Sequence, residues 1–175
     1  MQELLNSVRI IGDPVLREIS RPLVFPDDAV LLRKLIETME RVLEAEEGLG
    51  LAAPQVGESV RLFIATPDYL DDLNGHVVFI NPEILPCGED EKREEGCLSV
   101  PGIYETLSRP SRVQIRALDA LGNPFSLTVE GLSARLFQHE NDHLDGILFV
   151  DRLSPMKKKL LRGKLKKLRE TENSS

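Results

Sequence analysis

Tryptophan is absent from the 175-residue chain and aromatic residues make up only 5% of it, so a core built mostly from aliphatic side chains is expected. Cysteine is nearly absent too. Two thiols, Cys87 and Cys97, are too few for the disulfide framework of a small secreted domain, and a reducing cytoplasm is the expected compartment. No apolar run exceeds a few residues, which excludes a membrane-spanning helix. The first twenty residues carry Glu3, Arg9, Asp13, Arg17 and Glu18 and lack the apolar stretch of a secretory signal. Gly/Ser linkers and internal repeats are missing as well. A single domain is therefore expected, long enough to bury a sizeable core.

Charge is present in both signs but unevenly placed. The net charge is −7, yet residues 1–155 carry 14 Lys and Arg against 27 Asp and Glu, while residues 156–175 carry 8 against 2. An acidic body repels nucleic acid, so DNA is not an expected partner, whereas the basic tail can meet a phosphate-rich one.

Hydrophobic periodicity gives the coarse organisation. Gly12-Asp13-Pro14 reads as a turn, and Asp27 and Asp28 open a helix whose apolar positions Leu32, Leu35, Ile36, Met39, Val42 and Leu43 recur at three and four, with Gly48 and Gly50 ending it. Strand patterns run over Val60–Ile64, Val77–Ile80, Val113–Leu118 and Phe125–Val129, the last two joined by a hairpin turn at Leu121-Gly122-Asn123-Pro124. A second helix is expected from Leu132 to Leu144. Ser154-Pro155 starts a third, with Leu160, Leu161, Leu165 and Leu168 along one side. Strands with inserted helices, not regularly alternating, imply an α+β fold and exclude a wound parallel sheet.

The chemistry concentrates at His139-Glu140-Asn141-Asp142-His143. Two histidines four apart share one helix face and can bind one metal ion, and the glutamate beside the first is placed to handle the proton of a metal-activated water. The bland alternative is a solvated helix with two surface histidines. The long metalloprotease pattern is followed through Gly146 and then fails, because Phe149 stands where a third histidine is required. Glu170 and Glu172 are the only acids far enough downstream for a glutamate-ligand protease, and both lie in the basic tail. His76 follows Asn74-Gly75 and reads as a solvated turn residue. Cys87 precedes the acidic run Glu89 to Glu91, which disfavours a thiolate. Cys97, within Glu95-Gly96-Cys97-Leu98-Ser99-Val100-Pro101-Gly102, reads either as a small buried thiol or as the missing ligand. Two imidazoles and a thiolate would leave a fourth position for water.

Three separated segments, Gly48-Leu49-Gly50-Leu51-Ala52-Ala53-Pro54-Gln55-Val56-Gly57, Glu95-Gly96-Cys97-Leu98-Ser99 and Gln138-His139-Glu140-Asn141-Asp142-His143-Leu144-Asp145-Gly146, together resemble the peptide deformylase family. Gly12-Asp13-Pro14-Val15-Leu16-Arg17 matches its usual N-terminal segment, and the likeness covers roughly residues 8 to 155. The resemblance implies removal of the formyl group from the N-terminal methionine of new polypeptides, with release of formate. It implies strands, antiparallel or mixed, packed around a central helix carrying the motif, with a catalytic domain over 1–155 and a basic C-terminal helix and frayed tail over 156–175. Cys97, His139 and His143 match the metal ligands, for ferrous iron in most members, although thiolate plus imidazoles also accept zinc, nickel or cobalt. Glu140 matches the acid/base. The Gln55 side-chain amide and the Leu98 backbone N–H match the oxyanion donors, with loop capping as the bland alternative for Gln55. Leu132 and Leu136 share the face of His139 and His143 by spacing, and with Leu49 and Leu98 would wall a methionine pocket. Gly50 would let substrate backbone lie close. Tyr104 stands where many relatives carry arginine and is expected at the pocket mouth. Formyl-methionyl nascent peptides are the implied partners, a monomer is expected, and in some bacterial members the C-terminal helix contacts ribosomal RNA.

Two rivals stand beside this reading. A zinc endoprotease would use the same helix motif with a ligand other than Cys97. A catalytically silent scaffold or ribosome-associated module would need a closed structural site with four protein ligands, and no fourth is apparent.

Overall fold

The computed structural model describes residues 8–172 apart from 68, 69, 74 and 76; His76 thus lies outside the described residues. Asp13 caps a short 3-10 turn at Pro14–Arg17 by accepting the Val15 N–H at 3.0 Å. Helix α1 follows at Ala29–Ala45, and its buried residues Leu32, Leu35, Met39, Val42 and Leu43 keep the expected spacing. Its end departs from expectation. The left-handed residue that stops the helix is Glu47, at φ 50°, and Gly48 N–H closes the end by donating to the Leu43 carbonyl.

Five antiparallel strands form one sheet in chain order: β1 Gly50–Ala52, β2 Leu62–Ala65, β3 Val78–Glu95, β4 Glu105–Leu118 and β5 Pro124–Glu130. Strand β2 is buried along its whole length because both faces are covered. Leu62 and Ile64 join the α1 cluster, while Phe63 and Ala65 face the other way. Strands β3 and β4 are far longer than the periodicity predicts. Two register shifts, between Ile80 and Glu83 and between Cys87 and Asp90, absorb Pro82 and Gly88, whereas Pro86 keeps its place opposite Val113. The β4–β5 turn forms as expected, with Asp119 accepting the Leu121 and Asn123 N–H groups at 2.9 Å.

Helix α2, Gly131–Leu144, packs against all five strands. The scarce aromatics concentrate beneath it. Phe63, Phe79 and Phe137 form a mutual cluster with centroids 4.7 to 5.2 Å apart, each with negligible exposure. Helix α3, Pro155–Glu172, lays Leu161, Leu165 and Leu168 onto a third cluster that includes Ile11, Val100, Leu148 and Phe149. Leu160 does not share that side. It is 78% exposed, because one residue before Leu161 it points about 100° away around the helix.

The N-terminal segment is strapped to the end of α2. Ser20 N–H donates to Leu144 C=O at 2.9 Å, and Arg17 donates to Gly146 C=O. Gly146 has φ +71°, and a Cβ there would lie 2.7 Å from the Arg17 carbonyl oxygen. Gly146→Ala therefore combines backbone strain with a clash against main chain, and we expect a loss of about 2 kcal/mol or more in chemical denaturation. Gly102→Ala, with φ +72° and open space around it, should cost only about 1 kcal/mol. Equal costs at the two positions would contradict the clash.

Candidate metal centre

Strand β3 ends at Glu95, and two residues later Cys97 sits in a turn closed by the Val100 N–H on its carbonyl at 2.9 Å. Across from it α2 presents His139 and His143, four residues apart on one face. The Cys97 Sγ lies 3.3 Å from His143 Nε2, and the ligand atoms of Cys97, His139 and His143 all fall within 4.8 Å of one another. No other such group of His, Cys, Asp and Glu occurs among the described residues. Cys87 faces Arg112 along the β3–β4 ribbon, and Glu170 sits on α3, paired with Lys166. A soft thiolate with two imidazoles suits a borderline divalent transition metal. The orientation of the rings fits as well, since the His139 Nδ1 is engaged by Glu95 Oε2 at 3.2 Å, which leaves Nε2 for a ligand role.

Glu140 lies beside the trio and is 2% exposed, and its Oε2 has no hydrogen-bond partner among the described residues. Burial pushes its pKa up to about 7. The Gln55 amide is fixed at both ends. Its Oε1 accepts the Ala52 N–H at 2.8 Å, and its Nε2 lies 3.2 Å from Ser99 Oγ and 3.7 Å from Cys97 Sγ. Gln55 therefore caps its loop through the oxygen and turns its NH₂ group toward Ser99 and Cys97.

These groups line a cavity of about 460 Å³. Leu49, Gly50, Leu98, Leu132, Leu136 and Tyr104 contribute to its walls, whereas His143 lies deeper, at 1% exposure. Leu136 is buried and Leu132 is 40% exposed, so the two leucines span from floor to rim. Gly50 is pressed against the chemistry, for a Cβ there would meet Glu140 Oε1 and Leu136 Cδ1 at 2.9 Å. The Tyr104 ring lies over Gly96 at the mouth and is 65% exposed. A hollow between α1 and β2, lined by Glu40, Glu44, Glu47 and Ile64 among others, has no histidine or thiol among the described residues that line it.

Sequence reasoning gave no role to the charges behind the ligands. Glu95 accepts Arg109 Nε and Nη2 at 2.6 and 2.9 Å and Arg135 Nη1 at 2.6 Å, in addition to meeting His139. Asp142 accepts Arg109 Nη1 at 2.9 Å and Arg152 Nε at 2.5 Å. Burial alone would raise the pKa of Glu95, but the hydrogen bonds from His139 and Arg109 outweigh it and hold the carboxyl down at about 2. Burial likewise opposes a charge on His139, yet the Cys97 sulfur and Glu95 beside it move its pKa up; His143 is moved down by burial and by its neighbour His139. One sequence signal was available. Arg135, Gln138, His139 and Asp142 recur at i, i+3, i+4 and i+7, a polar stripe on a helix that the fold buries.

An α+β fold with a His-Glu-x-x-His helix facing a nearby thiol defines a class of metal-dependent hydrolases. The family model described as polypeptide deformylase matches residues 5–159. The peptide deformylase of Pseudomonas aeruginosa is 49% identical over 156 residues, 89% of this chain and 90% of that protein. The crystal structure of a peptide deformylase from Legionella pneumophila has a TM-score of 0.83 at 41% identity, covering 98% of this chain and 99% of that one. That of the Thermotoga maritima peptide deformylase gives 0.77 at 43% identity, with 86% and 99% covered. The chain belongs to the peptide deformylase family, metal-dependent hydrolases that remove the formyl group from the N-terminal methionine of new polypeptides.

A carboxyl held at about 2 in the fold, against an ordinary value of 4.5, stabilises the protein fully above pH 4.5 and progressively less as pH falls toward 2. In metal-free protein, the stability gap between wild type and Glu95→Gln should be widest above pH 4.5 and narrow below it, read by thermal melts. A gap independent of pH would show that Glu95 is not ionised in the fold.

Proposed function

We propose that the chain deformylates formyl-methionyl peptides with Glu140 as the acid/base, Gln55 and the Leu98 backbone N–H as oxyanion donors, and Cys97, His139 and His143 as ligands of a ferrous ion. The observation that carries this reading is the unpartnered, buried Oε2 of Glu140 beside the three converging ligand atoms and open to the cavity. A buried carboxylate without a partner is costly unless a ligand completes it. A bound ion supplies Lewis acidity, which polarises the formyl group and makes water nucleophilic at neutral pH.

The protein's own groups do the rest. Glu140 takes the proton of the attacking water and returns it to the departing amine. The Gln55 Nε2–H group and the Leu98 N–H stabilise the developing oxyanion, and the Ala52 N–H holds the orientation of the Gln55 amide. Leu49, Leu98, Leu132 and Leu136 accept the methionine side chain, whose flexible thioether suits an apolar slot. Strand β1 lies at the sheet edge, so Gly50 can pair with the backbone of an extended peptide. Tyr104 at the mouth contacts the peptide residue on the C-terminal side of the methionine.

The catalytic unit is residues 1–155, acting as a monomer in the cytoplasm; no described helix is long and apolar enough to cross a membrane. The basic helix and tail of 156–175 add a ribosome-docking surface. Its apolar side is already used in the core through Leu161 and Leu165, which leaves exposed lysines such as Lys158, Lys159 and Lys166 to meet ribosomal RNA.

Protein purified anaerobically with ferrous iron should release formate from a formyl-Met peptide. Glu140→Gln should lower kcat by about 10²- to 10⁴-fold with metal content intact, Cys97→Ala should lose the metal, and Tyr104→Ala should raise KM more than it lowers kcat. Formate release indifferent to Glu140→Gln would sink the mechanism, and full metal content in Cys97→Ala would sink the ligand set. Ribosome co-sedimentation should weaken steeply with added salt and with Lys158, Lys159 and Lys166 changed together to Glu. Binding unaffected by both would remove the docking role.

A further inference from the structure

Behind the ligand helix, alternating charges lead outward from the metal centre. His139 Nδ1 meets Glu95 Oε2 at 3.2 Å; Glu95 takes the Nε/Nη2 fork of Arg109; the remaining Nη1 of Arg109 donates to Asp142 Oδ2 at 2.9 Å. Arg152 then clamps Asp142 with both edges of its own fork, Nε on Oδ2 at 2.5 Å and Nη2 on Oδ1. Glu95, Arg109 and Asp142 are each under a tenth exposed, whereas the Arg152 side chain is 43% exposed. The outer end of the chain of charges opens into a cavity of about 330 Å³ lined by Arg109, Asp142 and Arg152. Of its members, only Glu95 and His139 also line the substrate cavity.

We propose that Arg152, with Asp142, is a positioning residue for His139, acting through Arg109 and Glu95; this rests on the reading of His139 as a metal ligand. A bidentate guanidinium fixes the plane of the carboxylate it holds. Arg152 fixes Asp142, Asp142 fixes the free edge of Arg109, and the Arg109 fork sets the plane of Glu95, whose Oε2 orients the imidazole. The same short turn, Phe149–Arg152, reaches His139 by a second route, since the Phe149 ring stacks against the imidazole with centroids 6.2 Å apart and planes 28° from parallel. One four-residue turn thus holds the ligand both by a packed ring and by the end of a charge chain. An isolated half-exposed ion pair would contribute little. This one is different because its carboxylate is buried and has, among the described residues, only Arg109 and Arg152 as side-chain partners.

Partners behind metal-bound histidines commonly change metal affinity about 10- to 100-fold when removed, and that is the readout. Cobalt-loaded full-length wild type, Arg152→Gln, Arg152→Lys and Asp142→Asn are compared by visible absorption and by the rate of cobalt loss to a chelator. Arg152→Gln should release cobalt about 10-fold faster or more and shift the ligand-field bands. Arg152→Lys should fall between it and wild type, keeping the charge but not the fork. KM for a formyl-Met peptide should stay unchanged in Arg152→Gln, because the residue lines the outer cavity and not the substrate cavity. Bands and release rate identical to wild type in both Arg152→Gln and Asp142→Asn would overturn the proposal. So would fast release in Arg152→Gln that coincides with loss of the folded far-ultraviolet spectrum. Retention of cobalt by His139→Ala is a separate failure, which removes the ligand reading itself.

Discussion

The Glu95 carboxylate is where the structure converges. It closes β3, receives Arg109 from β4 and Arg135 from α2, and meets the His139 ring. A buried ion pair repays its desolvation only when the geometry is good and the remaining lone pairs are filled. Here both oxygens are filled, by two guanidinium groups and an imidazole. The arrangement is stable only if β3, β4 and α2 are all in place, so the ion cluster ties the formation of the metal centre to completion of the fold. An apolar cluster of the same volume could be equally stable, but it would not orient an imidazole.

The same dependence explains what the sequence revealed and what it hid. That Cys97, His139 and His143 come together, with Glu140 and Gln55 beside them, was legible because each lies in a short segment with a recognisable local pattern. The apolar face of α1 was legible from its period and the β4–β5 turn from its Gly-Asn-Pro residues. The β3–β4 ribbon was not. Its outer half is two strands that mainly face solvent, so no apolar alternation marks them, and only cross-strand pairing reveals the extension. Leu160 was misplaced because four leucines close in sequence do not all fit on one helical face. The cluster of Glu95, Arg109, Asp142 and Arg152 escaped because charged residues far apart in sequence read one by one as surface. Only the stripe through Arg135, Gln138 and Asp142 hinted that α2 buries charge.

Gln55 shows how one residue can satisfy a loop and face a cavity together. The turn at Ala53–Val56 leaves the Ala52 N–H in need of an acceptor, and the Gln55 carbonyl oxygen takes it. That bond fixes which end of the amide points inward. Because the oxygen is committed, the NH₂ group faces Ser99 and Cys97. A glutamate would present oxygens at both ends and could not serve as donor when ionised.

Helix α2 carries the remaining logic through angle alone. Successive residues turn by about 100°, which divides fourteen residues into three sectors. Ala134, Phe137 and Leu144 face the sheet and the phenylalanine cluster. Arg135, Gln138 and Asp142 face the carboxylates and carbonyls behind the site. His139, His143, Glu140 and Leu136 face Cys97 or the cavity. A helix on the protein surface needs only one apolar stripe. This one is buried almost all round, so every sector must be matched to a different neighbour, and a one-residue slip would put His139 in the place of Glu140 and Asp142 in the place of His143. The motif keeps its spacing because the packing on all three sides fixes the rotation of the helix about its own axis.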